Sequence, residues 1–137
     1  LHIACLSLNV KPGDIVWTSP ITFVATANCA LYCGAKVDFV DIDPISYNMS
    51  VTALSKKLEL AKKNNSLPKV LIPVHLAGQS CEMKEIHKLS QKYDFKIIED
   101  ASHAIGAKYL DNPVGNCLYS DITFFIKLIY WGRRVSG

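Results

Sequence analysis

The sequence predicts an α/β fold of three layers, a mostly parallel sheet with helices on both faces. Three observations lead there. Short apolar runs such as Val70-Leu-Ile72 and Lys96-Ile-Ile98 have the length and composition of strands buried on both sides. Longer stretches between the strands carry apolar residues at helical spacing, so strands and helices alternate along the chain. Alternation of this kind gives parallel neighbours joined by right-handed crossovers.

Taken in order, Leu1 to Leu8 reads as the end of an amphipathic helix and Lys11-Pro-Gly-Asp14 as a turn. Ile15-Val-Trp17 is a strand closed by Ser19-Pro20. Phe23 to Cys33 is apolar and rich in small residues, a helix with Gly34 where its C-terminal cap belongs. Lys36 to Asp41 is a strand that Asp43-Pro44 breaks. Ser50 caps a helix running to about Lys63, whose Val51, Leu54, Leu58 and Ala61 share one face. Asn64 to Pro68 is a loop, and His75-Leu-Ala-Gly-Gln79 follows the strand at Val70 to Ile72. Met83, Ile86, Leu89 and Tyr93 stripe a further helix. The next strand has its apolar run at Lys96 to Ile98 and ends at Asp100, and Asp121 to Phe125 is the last.

A length of 137 residues fits one domain, and with half of them apolar the chain can build a core without staples. The net charge of +3 is spread thinly, with no basic block or aromatic-basic stripe, so no nucleic-acid partner is expected. No run approaches the roughly 18 consecutive apolar residues of a membrane span. Leu1 stands in mid-pattern, with no signal peptide, and a cytoplasmic protein is expected. The five cysteines, Cys5, Cys29, Cys33, Cys81 and Cys117, are odd in number and form no Cys-x-x-Cys pair. They read as reduced thiols, without a metal site. Neither a G-x-G-x-x-G turn nor a Walker loop occurs.

The stretch Phe95-Lys-Ile-Ile-Glu-Asp-Ala-Ser-His-Ala-Ile-Gly106 carries the most chemistry. A buried strand ends abruptly in acids, then passes into a small-residue turn with a histidine. Functional groups in open α/β sheets gather at the carboxyl ends of strands. A carboxylate at Asp100 can pair with a cationic ring nitrogen and keep it protonated, as proteins do to make pyridoxal phosphate (PLP) an electron sink. The plainer reading, an acidic helix cap after a strand, fits the same residues.

Several stretches in register resemble the DegT/DnrJ/StrS-type sugar aminotransferases, PLP enzymes of fold type I. They are Pro12-Gly-Asp14, Thr22-Phe-Val-Ala-Thr26, Gly34 to Asp43, Ile72-Pro-Val-His-Leu-Ala-Gly-Gln79 and Ile98 to Gly106. Ser19 to Asn28 and Leu31-Tyr-Cys-Gly34 are most similar to the branch that serves pseudaminic acid synthesis. The resemblance implies the PLP fold type I large domain, incomplete, over residues 1–125. It implies PLP as cofactor, glutamate as amino donor, and a UDP-linked 4-keto-6-deoxy amino sugar aminated at C4. It also implies a homodimer with active sites at the subunit interface. Relatives acting on other keto sugars share most of these motifs, and some members use PLP for sugar dehydration.

Carried over by position, the resemblance gives roles to particular residues. Phe23 matches the aromatic that stacks on the PLP ring, Asp100 the partner of the ring nitrogen, and His103 the contact of the phenolate oxygen. His75 receives no role and is expected to be structural. The family's phosphate-binding turn would fall just before Leu1. Its lysine segment should follow Phe125, but residues 126–137 read differently, as an aberrant tail. Tyr130-Trp-Gly-Arg-Arg134 can be encoded TAC TGG GGA AGG CGG, and that encoding read one base later gives the family's Thr-Gly-Glu-Gly-Gly. The tail is therefore expected to be a frameshift product, the small C-terminal domain absent, and the segment alone inactive. Lys127 is the displaced candidate for the lysine that forms the Schiff base. With no histidine nearby, it favours transamination over dehydration. A non-catalytic binding domain or remnant is the remaining alternative.

Overall fold

The structure, a computed structural model, describes residues 1–125. Its elements are α1 (His2–Ser7), β1 (Ile15–Thr18), α2 (Ala25–Tyr32), β2 (Lys36–Phe39), α3 (Val51–Lys63), β3 (Val70–Ile72), α4 (Met83–Tyr93), β4 (Lys96–Asp100), β5 (Lys108–Tyr109), β6 (Asn112–Pro113) and β7 (Ile122–Phe124). Five strands form one sheet in the order β2-β1-β3-β4-β7, and every pairing in it is parallel.

The period of two along the strands sorts the core into two layers. Trp17, Leu71 and Ile97 point to the face covered by α3 and α4, where they pack with Leu54, Leu58 and Ile86. Val16, Val70, Ile72 and Ile98 point the other way, against Cys5, Cys29 and Ala30 of α1 and α2. Each fully buried Leu or Ile contributes about 1.5–3 kcal/mol of burial. This is the three-layer arrangement the alternation predicts.

Local signals hold as read. Ser50 accepts a hydrogen bond from Ala53 N–H at 3.2 Å and starts α3. At the end of α2, Gly34 takes φ +73° while Gly34 N–H donates to Leu31 O and Ala35 N–H to Ala30 O. That pair of bonds is a Schellman closure, which a left-handed residue permits.

β4 ends at Asp100 as expected, and its two acids stay in the sheet, Glu99 paired with Thr123 and Asp100 with Phe124. One feature differs from the expected pattern: a small antiparallel hairpin, β5–β6, lies between Gly106 and Asp121. Its turn residues Leu110 and Asp111 have φ of 48° and 63°. Two positive φ values suit the tight hairpin turns usually signalled by Asn-Gly. Leu-Asp carries no such signal.

The order of strands positions the site. The chain goes from β1 outward to β2 through α2, then returns across β1 through α3 and continues to β3, β4 and β7. The direction reverses between β1 and β3. Ligands of open α/β sheets bind outside the carboxyl ends of strands at such a point.

Candidate functional site

Asp100 is the last residue of β4 and is only 5% exposed. Its carboxylate is held from two sides. Thr26, the second residue of α2, donates its hydroxyl to Oδ2 at 3.1 Å. Ser102 donates its hydroxyl to Oδ1 at 2.6 Å and its backbone N–H to the same oxygen at 3.2 Å. Thr22 and Thr26 share a hydroxyl contact of 2.9 Å. An ionised carboxylate only accepts, so the hydrogen of Thr26 goes to Asp100 and Thr22 donates to Thr26. The result is a directed chain from Thr22 through Thr26 to Asp100.

Phe23 lies between those threonines, just before α2, and its ring is 78% exposed. A large aromatic held out in solvent, three residues before the threonine that bonds the buried carboxylate, is free to stack on a planar ligand. His103 is exposed, on the loop after Asp100. The carbonyl of His103 rests against Gly78, where a Cβ would come within 3.0 Å of that oxygen. Thus the loop after β3 and the loop after β4 touch. At the end of β1, the hydroxyl of Ser19 is buried without a hydrogen-bond partner. Lys127 lies outside the described residues.

On the opposite face of β4, Glu99 is also buried. Its Oε1 lies 2.7 Å from Nε2 of fully buried His75, and its Oε2 accepts from Ser120 at 2.9 Å and Thr123 at 2.8 Å. Burial pushes the carboxyl up, but the bonds from His75, Thr123 and Ser120 outweigh it and hold it below its usual value. Nδ1 of His75 accepts the N–H of Cys81 at 3.2 Å, so the ring hydrogen sits on Nε2 and points at Glu99. His75 is therefore a buried connector, as its lack of a family role suggested.

The resemblance gave roles to Phe23, Asp100 and His103, and made Lys127 a candidate. It gave no role to Thr26, Ser102 or Glu99. The spacing of Thr22 and Thr26, one helical turn apart, is the signal that was there to be used. Nothing in the sequence pattern marks Glu99 apart from its neighbour. Among the described residues, no group of three or more His, Cys, Asp and Glu is arranged to hold a metal ion. Nor is any helix there long and apolar enough to cross a membrane. All five cysteines are free.

A parallel sheet with its direction reversal and a clamped aspartate at a strand's carboxyl end define an open α/β domain of the kind that binds a ligand at its strand ends. The chain belongs to the DegT/DnrJ/EryC1/StrS aminotransferase family, which matches residues 1–126. EpsN of Bacillus subtilis, whose name assigns it to the pyridoxal phosphate-dependent aminotransferases, is 48% identical over 115 residues, 84% of this chain and 30% of that protein. The UDP-4-amino-4,6-dideoxy-N-acetyl-beta-L-altrosamine transaminase of Campylobacter jejuni is 43% identical over 127 residues, 91% of this chain and 31% of that one. The crystal structure of NtdA from Bacillus subtilis with bound cofactor PMP superposes with a TM-score of 0.74 at 30% identity, covering 89% of this chain and 25% of that one. The chain thus spans less than a third of the length of each of these relatives.

Proposed function

We propose that residues 1–125 are part of the PLP-binding large domain of a longer enzyme, and that residues 126–137 lie outside that domain's regular pattern. The enzyme moves an amino group from glutamate to C4 of a UDP-linked 4-keto-6-deoxy amino sugar, in surface-glycan synthesis, and works as a homodimer. The altrosamine transaminase among the relatives supports the substrate, as do the motifs around Ser19 to Gly34.

The observation that carries the reading is the carboxylate of Asp100 at the end of β4, clamped by Thr26 and Ser102, with the exposed Phe23 on the segment that leads to Thr26. These residues fit PLP. The cofactor, when bound, supplies an electron sink for the carbon that gains or loses the amino group. Asp100 would hold a proton on the ring nitrogen, because an ionised carboxylate beside it favours the charged form. Thr26 and Ser102 keep that carboxylate aimed, since both donate to it. Phe23 would cover one face of the ring. His103 would hydrogen-bond the phenolate oxygen. Lys127 remains the candidate for covalent attachment.

The test uses the full-length protein, loaded with PLP and given glutamate and the UDP-4-keto sugar. Formation of the 4-amino sugar is expected, and Asp100→Asn should lower turnover by orders of magnitude. Near-normal turnover by that variant, or no amination of any keto sugar by the unaltered enzyme, overturns the reading.

A further inference from the structure

We infer that Glu99 is a positioning residue for Asp100, bracing with its side chain the same two strand ends that hold Asp100 by the backbone. The inference rests on the reading of Asp100 given above.

The two sets of contacts coincide. Asp100 N–H donates to Pro73 O at 2.9 Å, and His75 N–H donates to Asp100 O at 3.0 Å, tying Asp100 to the segment after β3. On the other side, Ala101 N–H donates to Phe124 O at 2.9 Å, tying it to β7. The Glu99 side chain reaches the same neighbours. One oxygen meets His75, and the other meets Ser120 and Thr123. Cys81 fixes the far nitrogen of His75, so the brace extends into the turn that leads to α4. Three strand ends are locked at the level of Asp100.

Stability alone does not call for a carboxylate there. Glu99 is 6% exposed, and its only ion-pair contact within 4.0 Å among the described residues is His75. Replacing a buried polar cluster with apolar residues of similar volume is often neutral or stabilising. The neighbour on the same face, Ile97, shows that this layer accepts an aliphatic side chain. What Glu99 supplies is a fixed geometry, and a fully satisfied buried network rigidifies its surroundings. A carboxylate that must meet a ring nitrogen needs placement within about 0.5 Å.

Two substitutions in the full-length enzyme separate positioning from packing. Glu99→Met keeps the volume and removes every hydrogen bond. Glu99→Gln keeps both sides of the brace, its carbonyl accepting from His75 and its amide donating to the hydroxyls of Ser120 and Thr123, which turn to accept. We expect Glu99→Met to lose about tenfold or more in both PLP affinity and kcat, with KM for the keto sugar within about twofold. Glu99→Gln should recover both to within about threefold of the unaltered enzyme. Soluble Glu99→Met with unchanged PLP affinity and kcat overturns the inference, as does a Gln variant no better than Met. If the Met variant does not fold, Thr123→Val carries the test. It removes one of the three side-chain bonds, and unchanged PLP affinity would refute the brace. Asp100→Asn belongs in the same series. A normal Asp100→Asn enzyme removes the reading of Asp100 itself, whereas a crippled one beside an unaffected Glu99→Met removes only the brace.

Discussion

The hydroxyl of Thr26 donates to Oδ2 of Asp100 at 3.1 Å, joining α2 to the end of β4 across 74 residues of chain. Both partners are buried, Thr26 at 1% exposure. Thr26→Val keeps the shape and removes the donor, leaving Oδ2 with no hydroxyl and stranding Thr22. A buried acceptor left unmade costs about 1–3 kcal/mol. Urea unfolding of the full-length protein should show a loss in that range, with weaker PLP binding. A valine variant as stable as the parent would show that the bond contributes nothing.

Gly78 and His103 give a second, more local test. Gly78 has φ +88°, and a Cβ there would meet the His103 carbonyl at 3.0 Å. Gly106 has a similar φ of +81°, but a Cβ there meets nothing within 4 Å. Alanine at either site carries backbone strain of about 1–2 kcal/mol. Only Gly78→Ala also displaces the loop that carries His103. The expected outcome is a loss of stability in both variants, larger in Gly78→Ala, and loss of PLP affinity in Gly78→Ala alone. Equal PLP affinity in the two would show that the contact between the loops does not matter to the site.

Most of this arrangement was legible because it rests on local rules. Ser50, Gly34 and the stripe of Leu54, Leu58 and Ala61 each announce an element through capping or periodicity, and the structure obeys them. Asp100 was legible because a strand that ends in acids is conspicuous. Its neighbour Glu99 was not. The two look alike in sequence, and only the alternation of faces in β4 sends one toward α2 and the other toward His75. What keeps the two acids in the strand is β7, which pairs with them from more than twenty residues away. The hairpin β5–β6 was hidden because its turn opens on Leu110, a residue type that rarely takes positive φ, and lacks the glycine that marks such turns.

Glu99 also makes acid stability predictable in sign. Its carboxyl titrates below the usual 4.5 in the folded protein, where His75, Thr123 and Ser120 outweigh burial. A group depressed on folding contributes stability that is present above its unfolded value and lost as pH falls through its folded value. The full-length protein should therefore lose stability on acidification below about pH 4.5, with Glu99 as one contributor. Glu99→Gln cannot titrate and should show a shallower decline over that range, measured by thermal unfolding from pH 3 to pH 6. Parallel declines in the two proteins would mean that Glu99 does not gain from ionisation.

The outer surface of α1 and α2 predicts how the 137-residue chain behaves by itself. Ile3, Leu6, Val24, Leu31 and Tyr32 are all more than half exposed there, and His2 packs edge-on against Tyr32, so the two helices present one apolar face. At one side of the sheet, β7 pairs only with β4 among the described residues, and its sequence Ile-Thr-Phe is uncharged. An unpaired, β-prone edge beside an apolar face invites association. Each large apolar side chain left in water forgoes about 1.5–3 kcal/mol of burial, against a net stability of only about 5–15 kcal/mol for an intact domain. The purified chain should therefore scatter light at micromolar concentration and unfold without a sharp transition. Replacing Leu6 and Leu31 with glutamate should reduce the scatter if the helical face drives it, and leave it unchanged if the β7 edge does. A monodisperse monomer with a cooperative thermal transition would show that the exposed face and edge are tolerated.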